Sequence, residues 1–460
     1  MPPIPDRAPG AVDGTPRRPT DGETMTSRSP ASRTIRSRVI PAAIALGSLV
    51  AATMAAPASA SAAAIARSSP ANPVVTWDLN AQTAIWDVAA QQPNEQVRSF
   101  AMVSGAVYDA LNAIGGTPYQ PYLVAPPSSG TESADAAVAT AAHDVLAALF
   151  PAQHERLRAQ YDEAIAAVPA GRSKQGGVAV GARAAAAMVA ARQGDGAFGD
   201  QQWRTGTEPG QWRPTPPLFL SQGAWTGHMR PFLLPRASTF RAPAPPRLSS
   251  SAYARDLNEV RAVGGATSTV RTQDQTEAAI WWHDRRSASW EIKRQLATTH
   301  KLDALHTARF FAMTDLIVAD SGVACFSQKD FWSYWRPVTA IHLADIDGNP
   351  RTSADPGWQS LLGTPPFPEY PSGHACGTGA RMSLYRYFFG RDDVAFSGSS
   401  VDSGTTRHFT SFSQALDELI GARVWGGVHF RTADVEGAKL GAEVYRYAVG
   451  HYFRPLRQRP

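Results

Sequence analysis

Two cysteines, Cys325 and Cys376, are all that this 460-residue chain contains, so a fold stapled by several disulfides is excluded. Charge is scarce as well: 18% of residues are charged and 43% are hydrophobic. A chain of this composition is not a disordered acidic or basic tail, and it is long enough to bury a large core. Beyond one N-terminal stretch, no second apolar run reads as long enough to span a bilayer. No CxxC, HExxH or HxH spacing suggests zinc, and neither a P-loop nor GxSxG is present. The run GDGAFG, residues 194–199, does fit GxGxxG. It follows an alanine-rich helical pattern rather than a strand, so it reads as a helix stop and a loop.

The N-terminal stretch has a different character. Residues 1–38 are rich in Pro, Ser, Thr and Arg, and Arg33, Arg36 and Arg38 lead into VIPAAIALGSLVAATMAAPASA. A basic segment, an apolar segment and the small residues Ala58, Ser59 and Ala60 compose a secretory signal with its cleavage site. Pro41 interrupts the run, as in a cleaved signal rather than an anchor. Residues 1–60 therefore read as signal peptide and N-terminal extension, with Met25 a candidate start. Residues 61–460 read as a single large helical domain, secreted and free of the membrane after cleavage. Residues 1–60 hold seven Arg and four Asp or Glu, which leaves 37 basic and 35 acidic groups in the rest. Nearly balanced charge offers no case for a nucleic-acid partner.

Helical periodicity dominates the remainder. Residues 97–116, 133–150 and 176–196, and later 251–263, 276–299 and 303–318, place apolar residues at helical spacing. Residues 197–250 are crowded with Pro and Gly, yet carry Trp203, Trp212, Trp225, Phe219, Phe232 and Phe240. Such a segment reads as an ordered loop, not a tether. No βαβ alternation and no repeat is evident, so the fold class is all-α, with helices packed as bundles.

Three segments carry chemistry. In KDFWSYWRP, Lys329 and Arg336 are seven residues apart, close to two helical turns, and Pro337 disfavours helical geometry at Arg336. A solvated basic face is the alternative there. In PSGHACGTGA, Ser372 can cap the helix that follows, and Gly373 permits close approach to a backbone whose N–H groups attract anions. His374 is next, so Ser372 as a nucleophile with His374 as its base is the competing reading, and a plain capped helix is the other. In GARVWGGVHFRTAD, Arg423 ends an apolar-periodic helix and His429 follows a Gly–Gly stop; alone, that histidine reads as a core or capping residue. Together, two arginines, a lysine, a hydroxyl, backbone amides and two histidines suit a compact, multiply charged oxyanion. A Ser–His hydrolase would need an oriented acid and no cationic cage. Ser372 is then a donor to the anion.

Lys-x6-Arg-Pro, Pro-Ser-Gly-His and Arg-x5-His, in that order, resemble the vanadium-dependent haloperoxidases and the acid phosphatases that share their fold. RSFAMVSGAVYDALNAI, RTQDQTEAAIWWHD, ADSGVACFSQKDFWSYWRP and FTSFSQALDELIGARVWGGVHFR are similar to the bacterial branch, which extends the likeness from about Trp77 onward. The resemblance implies two packed helix bundles with the site motifs in residues 320–440. It implies vanadate as cofactor, with phosphate able to occupy the same cage. Lys329, Arg336, Ser372, Gly373 and Arg423 would hold the vanadate oxygens, His429 would ligate vanadium, and His374 would be the acid–base residue. Hydrogen peroxide, halide and a small organic molecule are the implied substrates, vanadate acting as a Lewis acid at constant oxidation state; a homodimer is the candidate assembly. In the phosphatase alternative the cage holds phosphate, His429 attacks phosphorus and His374 protonates the leaving group. An oxyanion-binding protein without turnover is the third reading.

The chain departs from the family pattern at three places. Ala422 stands where a serine usually precedes the arginine. The family's acid four residues after the ligating histidine is replaced by Ala433, with Asp434 one later, which leaves His429 without an evident orienting partner and weighs against the phosphatase. Phe367 resembles the chloroperoxidase type, whereas Phe326 stands where the fungal type has tryptophan, so halide choice stays open. Asp284 is the candidate acid to orient Arg423. Cys325 and Cys376, each near an anion-binding motif, are expected to pair as a disulfide, since a free thiol beside hypohalite is an oxidation liability; buried thiols are the alternative. His300, His306 and His451 are assigned to structure.

Overall fold

The computed structural model describes residues 72–456; the signal-type segment lies outside the described residues. Helices α1 (Pro73–Gln82), α2 (Pro93–Ile114), α3 (Ala134–Leu149), α4 (His154–Ala166) and α5 (Arg172–Ala191) form the first group. Then come α6 (Ser251–Val263), α7 (Gln273–His283), α8 (Ile292–Thr299), α9 (Ala304–Trp332) and the short α10 (Pro337–His342). The last three are α11 (Gly373–Phe389), α12 (Phe412–Trp425) and α13 (Arg431–His451). Their starts are written in the sequence. Asn72, Ser133, Ser250, Thr272, Asp303, Ser372 and Ser411 each accept a backbone N–H from the first turn of the helix they precede.

Two bundles share one helix. In the first, α2 packs on α3, α5 and α9; in the second, α11 packs on α9, α12 and α13. Helix α9 has the length and apolarity of a membrane span, contrary to the expectation that no second such run exists. It is buried along most of that window, because both bundles close around it. The fold is mostly helical, and among the described residues the one sheet is a hairpin pairing Phe396–Ser399 with Thr406–Phe409.

The helix expected over 276–299 is broken. Helix α7 stops at His283, Asp284 is extended, and a π-helical turn over Ser287–Glu291 leads into α8. Asp284 turns its carboxylate onto the backbone N–H groups of Arg286 and Val401, which fixes the break. A second π-helical turn, Thr83–Val88, follows α1.

Buried acids hold the loops on this frame. Asp320, in the middle of α9, accepts the N–H groups of Phe232, Leu233 and Leu234 at 2.6, 2.7 and 2.6 Å. Burial pushes its carboxyl up to about 6 against the pull of those three donors. Through this contact the long segment 197–250 is ordered, as expected, with Trp203, Trp212, Trp225 and Phe232 buried; Phe219 instead projects into solvent. Lys293, fully buried, bridges Asp78 at 2.6 Å and Asp315 at 2.7 Å and so ties α1, α8 and α9. Asp195 of the GDGAFG loop takes Arg98 and Arg192, which makes that loop a structural junction.

Close backbone contact joins α11 to α13. A Cβ on Gly441 would lie 2.0 Å from the Cys376 carbonyl oxygen, and one on Gly437 would lie 2.7 Å from that of Ser372. These glycines set the height of the Ser372–His374 turn. Gly441→Ala is expected to cost about 1–3 kcal/mol by overpacking and to weaken phosphate binding at that turn. Gly450→Ala on the same helix, where a Cβ meets open space, is expected to hold or raise Tm. Thermal unfolding and phosphate titration of the pair check this.

Candidate functional site

Helix α9 carries Lys329 in its last turn and ends because Ser333 adopts φ 41°, in the left-handed region. The chain then runs extended through Arg336, at φ −78° and ψ 156°, and Pro337 opens α10. Lys329 and Arg336 therefore do not share a helix face; Pro337 enforces extended geometry at Arg336, and the two converge from consecutive elements. Both grip one loop. Lys329 Nζ donates to the carbonyls of Pro368 and Glu369, each at 2.8 Å, and Arg336 Nε donates to that of Phe367 at 2.9 Å.

That loop ends in Ser372, the N-cap of α11, whose hydroxyl accepts from Ala375 N. The Ser372 amide is tied to Ala433 O at 3.0 Å, so α11 starts against the first turn of α13. The amides of Gly373 and His374 occupy the first turn, where a helix supplies no acceptor of its own. At Gly373 a Cβ would come no closer than 3.6 Å to the protein, at Phe326. The protein alone does not demand glycine there; a ligand lying against that backbone would.

Arg423 ends α12, and Gly426 and Gly427 carry the chain to His429 before α13 begins. His429 Nδ1 is 2.9 Å from Glu369 Oε1, and Nε2 is 3.2 Å from Arg336 Nη1. A guanidinium only donates, so Nε2 carries the lone pair and Nδ1 the proton given to Glu369. Glu369 also accepts Phe430 N at 3.0 Å and is itself fully buried. His429 thus has a carboxylate partner. It comes from the loop before Ser372 rather than from the turn after His429, so the lack of an acid at Ala433 no longer weighs against either enzyme. Lys329, Arg336, Ser372 and Arg423 are 0% exposed and His429 1%.

Charge in this volume is uncompensated. Burial is the main cause throughout, and it lowers Lys329 to about 8, Arg336 to about 9 and Arg423 to about 10. Burial also raises Glu369 to about 7, although Arg336 and Lys329 pull the other way, and it pushes Asp434 well above the carboxylate range. His429 and His374 are held well below the usual imidazole value, first by burial and then by the neighbouring guanidinium groups, so both are neutral near pH 7. Among the described residues, Arg336 Nη2, all three Arg423 nitrogens and His374 Nε2 are sealed from solvent without a partner, as are Glu369 Oε2 and both Asp434 oxygens on the acid side. Orphaned buried donors of this kind are costly. A tetrahedral oxyanion fits them: four guanidinium nitrogens, Lys329 Nζ, the Ser372 hydroxyl and two amides can donate, and His429 Nε2 can ligate.

All the residues expected from the motifs are thus brought together, and several expectations are corrected. Asp284 does not bind Arg423: its two oxygens are taken by backbone amides, and the acid acting on Arg423 is Asp434. Cys325 and Cys376 are free buried thiols rather than a disulfide, with Cys325 Sγ donating to Pro371 O at 3.5 Å within an aromatic cluster. His306 contacts Asp303 and Tyr119, His451 stacks on Tyr447 and His300 on Phe389, all structural. Sequence reading missed Glu369, whose only signal is an acid among the prolines of PPFPEYPSGH. It also missed His283 and Arg285, which line with His374 a cavity of about 740 Å³ leading out from the cage.

Comparison with known proteins places the fold and the C-terminal half. Residues 309–458 match the family model described as the VCPO second helical-bundle domain. Vanadium chloroperoxidase from Curvularia inaequalis is 31% identical over a stretch covering 32% of this chain and 29% of that protein, so the chain spans less than a third of this curated relative. A bacterial vanadium-dependent iodoperoxidase structure superposes with a TM-score of 0.70 at 23% identity, covering 84% of this chain and 97% of its own. A bacterial vanadium-dependent chloroperoxidase gives 0.63 at 17%, covering 79% and 96%. Fold and cage together describe a helical-bundle protein in which two arginines, a lysine and a histidine surround one buried volume. Residues 309–458 are thus similar to the second helical-bundle domain of the vanadium chloroperoxidase type, and the whole described chain shares its fold with the bacterial vanadium haloperoxidases.

Glu369→Ala is expected to lower vanadate affinity about 10–100-fold, the usual cost of losing the group that orients a ligating histidine; isothermal titration reads it. Lys329 must be cationic to bind an anion. In the empty site its charge is present below about 8, and a bound anion raises that value. Phosphate affinity is therefore expected to fall as pH rises through 8, and Lys329→Met is expected to flatten that part of the profile.

Proposed function

We propose that the chain is an exported, vanadate-dependent haloperoxidase that uses hydrogen peroxide to oxidise halide. The observation that carries this reading is the burial of the cage. Every side chain that would hold the anion is 0–1% exposed. A hydrolase must release phosphate at each turnover, whereas a resident cofactor is retained, and burial with full neutralisation favours retention. The named relatives, a chloroperoxidase and an iodoperoxidase, support the same choice.

Vanadate, when bound, supplies Lewis-acid activation of peroxide at constant oxidation state. The chain's own residues set the conditions for it. Glu369 fixes the His429 tautomer so that Nε2 presents its lone pair. Lys329, Arg336 and Arg423 offset the anion's charge, and the Ser372 hydroxyl and the amides of Gly373 and His374 add neutral donors. Neutral His374, at the inner end of the cavity, can take a proton from peroxide entering there. The anion's negative charge raises His374 from its depressed value, so it can return that proton to the product oxygen. Phe326 and Phe367, with ring centroids 5.0 Å apart, wall the cage on the Lys329 side and keep water from it.

A phosphatase is the second reading, favoured by one observation: Glu369 orients His429 as a nucleophile would require. Metal-stripped chain divided into vanadate-loaded and phosphate-loaded samples separates the two. Peroxide-dependent bromination of a phenol dye is expected only with vanadate; hydrolysis of p-nitrophenyl phosphate inhibited by vanadate, without bromination, would reverse the choice. His374→Ala is expected to keep vanadate affinity within a few-fold and lower bromination about 10²–10⁴-fold, the usual worth of a positioned acid–base group. A pure binder would have no activity to lose. Export is supported by Arg33, Arg36 and Arg38 before an apolar run ending near Ala60; N-terminal sequencing of protein from the medium tests it, and an intact residue 25 at the terminus would exclude cleavage.

A further inference from the structure

The cavity above the cage is larger than peroxide and halide require. Its volume, about 740 Å³, lies in the range of roughly 300–1,000 Å³ typical of pockets for small organic ligands. Trp86, Trp225 and Phe367 give it aromatic walls, and His374 lies on its surface. Two of its wall residues come from irregular helix: Trp86 from the π-helical turn Thr83–Val88, and Arg286 from immediately before the one at Ser287–Glu291. Such turns recur at functional sites because they re-aim side chains.

Arg285 and Arg286 bring positive charge to the inner walls. Arg285 stacks its guanidinium on Trp86, 5.1 Å from the ring centroid, and gives Nη1 to Gln96 Oε1 at 3.1 Å. Its Nε and Nη2 donate to no acceptor among the described residues and are not among the sealed atoms, so that edge is open to the cavity. Two of the three acids on the walls accept backbone amides, and the third lies at the rim. Glu95 accepts the Gln92 amide, Asp284 accepts two amides, and Asp402 is exposed at the rim. An Nε/Nη2 edge is a two-donor fork that matches one carboxylate. Arg285 and Arg286 both lie over Trp86, each 5.1 Å from its centroid, so a ring held beside the fork would rest on the other aromatic walls, Trp225 and Phe367.

We propose that this cavity binds a hydroxylated aromatic carboxylate, its carboxylate on the open edge of Arg285 and its ring against the walls formed by Trp225 and Phe367, as the organic substrate. The proposal rests on the haloperoxidase reading for its chemistry. A ring activated by hydroxyl is attacked by the halogen electrophile: a carbon–halogen bond forms and a carbon–hydrogen bond breaks. Peroxide is the two-electron oxidant, and the balance is ArH + X⁻ + H₂O₂ + H⁺ → ArX + 2 H₂O. Held in this way, the ring lies in the path of oxidant leaving the His374 end, so halogenation is confined to the bound molecule.

Binding tests the site without turnover. The full chain is saturated with phosphate, which fills the cage, and titrated with 4-hydroxybenzoate and with 4-hydroxybenzamide, which differs only in charge. The carboxylate is expected to bind at least tenfold more tightly and to quench tryptophan fluorescence. Arg285→Met is expected to bind the two equally while keeping its cooperative thermal transition. Equal affinities in the unmodified chain, or a preference that survives Arg285→Met, overturn the proposal. If the variant does not fold, the unmodified chain decides alone. Failure of the haloperoxidase reading is separate: it appears as no bromination by the vanadate-loaded chain, whatever the cavity binds.

Discussion

Uncompensated positive charge, taken out of water and held in a fixed shape, is the constraint on which the rest of the molecule depends. Lys329, Arg336 and Arg423 are fully buried, and Glu369 and Asp434, the acids close to them among the described residues, are driven toward their neutral forms by the same burial. Isolated charges in such a place cost several kcal/mol each. Backbone carbonyls of Phe367, Pro368, Glu369 and Val428 relieve part of that cost for Lys329 and Arg336. Arg423 has no such relief, so it is the residue whose stability is most tied to the anion.

Maintaining that charge pattern explains the architecture around it. The cage takes residues from α9, from the extended run before α10, from the start of α11 and from the α12–α13 junction, so no single helix can position it. Sharing α9 between bundles gives both groups of helices one axis. The glycine contacts between α11 and α13 then fix the Ser372 turn against the segment bearing His429. Asp320 and Lys293 perform the corresponding task in the other half, where buried ion pairs and three-fold amide capture hold the loop and the first bundle to α9.

Much of this was legible in the sequence, and the limits have physical causes. Helix starts were readable because Ser, Thr, Asn and Asp caps act locally, over three residues. The oxyanion motifs were readable because a fork-shaped cation, a helix start and a histidine are needed together. Glu369 was not, because its partner His429 is 60 positions away and periodicity carries no information at that distance. Asp284 failed in the opposite direction: an acid near Arg423 in the family pattern is claimed by the backbone amides of Arg286 and Val401 once the helix breaks. The disulfide expectation came from chemistry outside the fold; inside it, Cys325 turns toward Pro371 O.

The burial of those two thiols also bears on how such a molecule ages. Cys325 and Cys376 are 0% exposed beneath the cage, whereas Trp86 and Trp225 face the cavity through which a strong oxidant would leave. Under the proposed chemistry, indoles on the exit route would meet the oxidant before sulfur sealed behind packed aromatic rings. Chemical wear would then accumulate at the mouth of the reaction chamber and blunt its selectivity for guests, while the scaffold that keeps the anion stays intact.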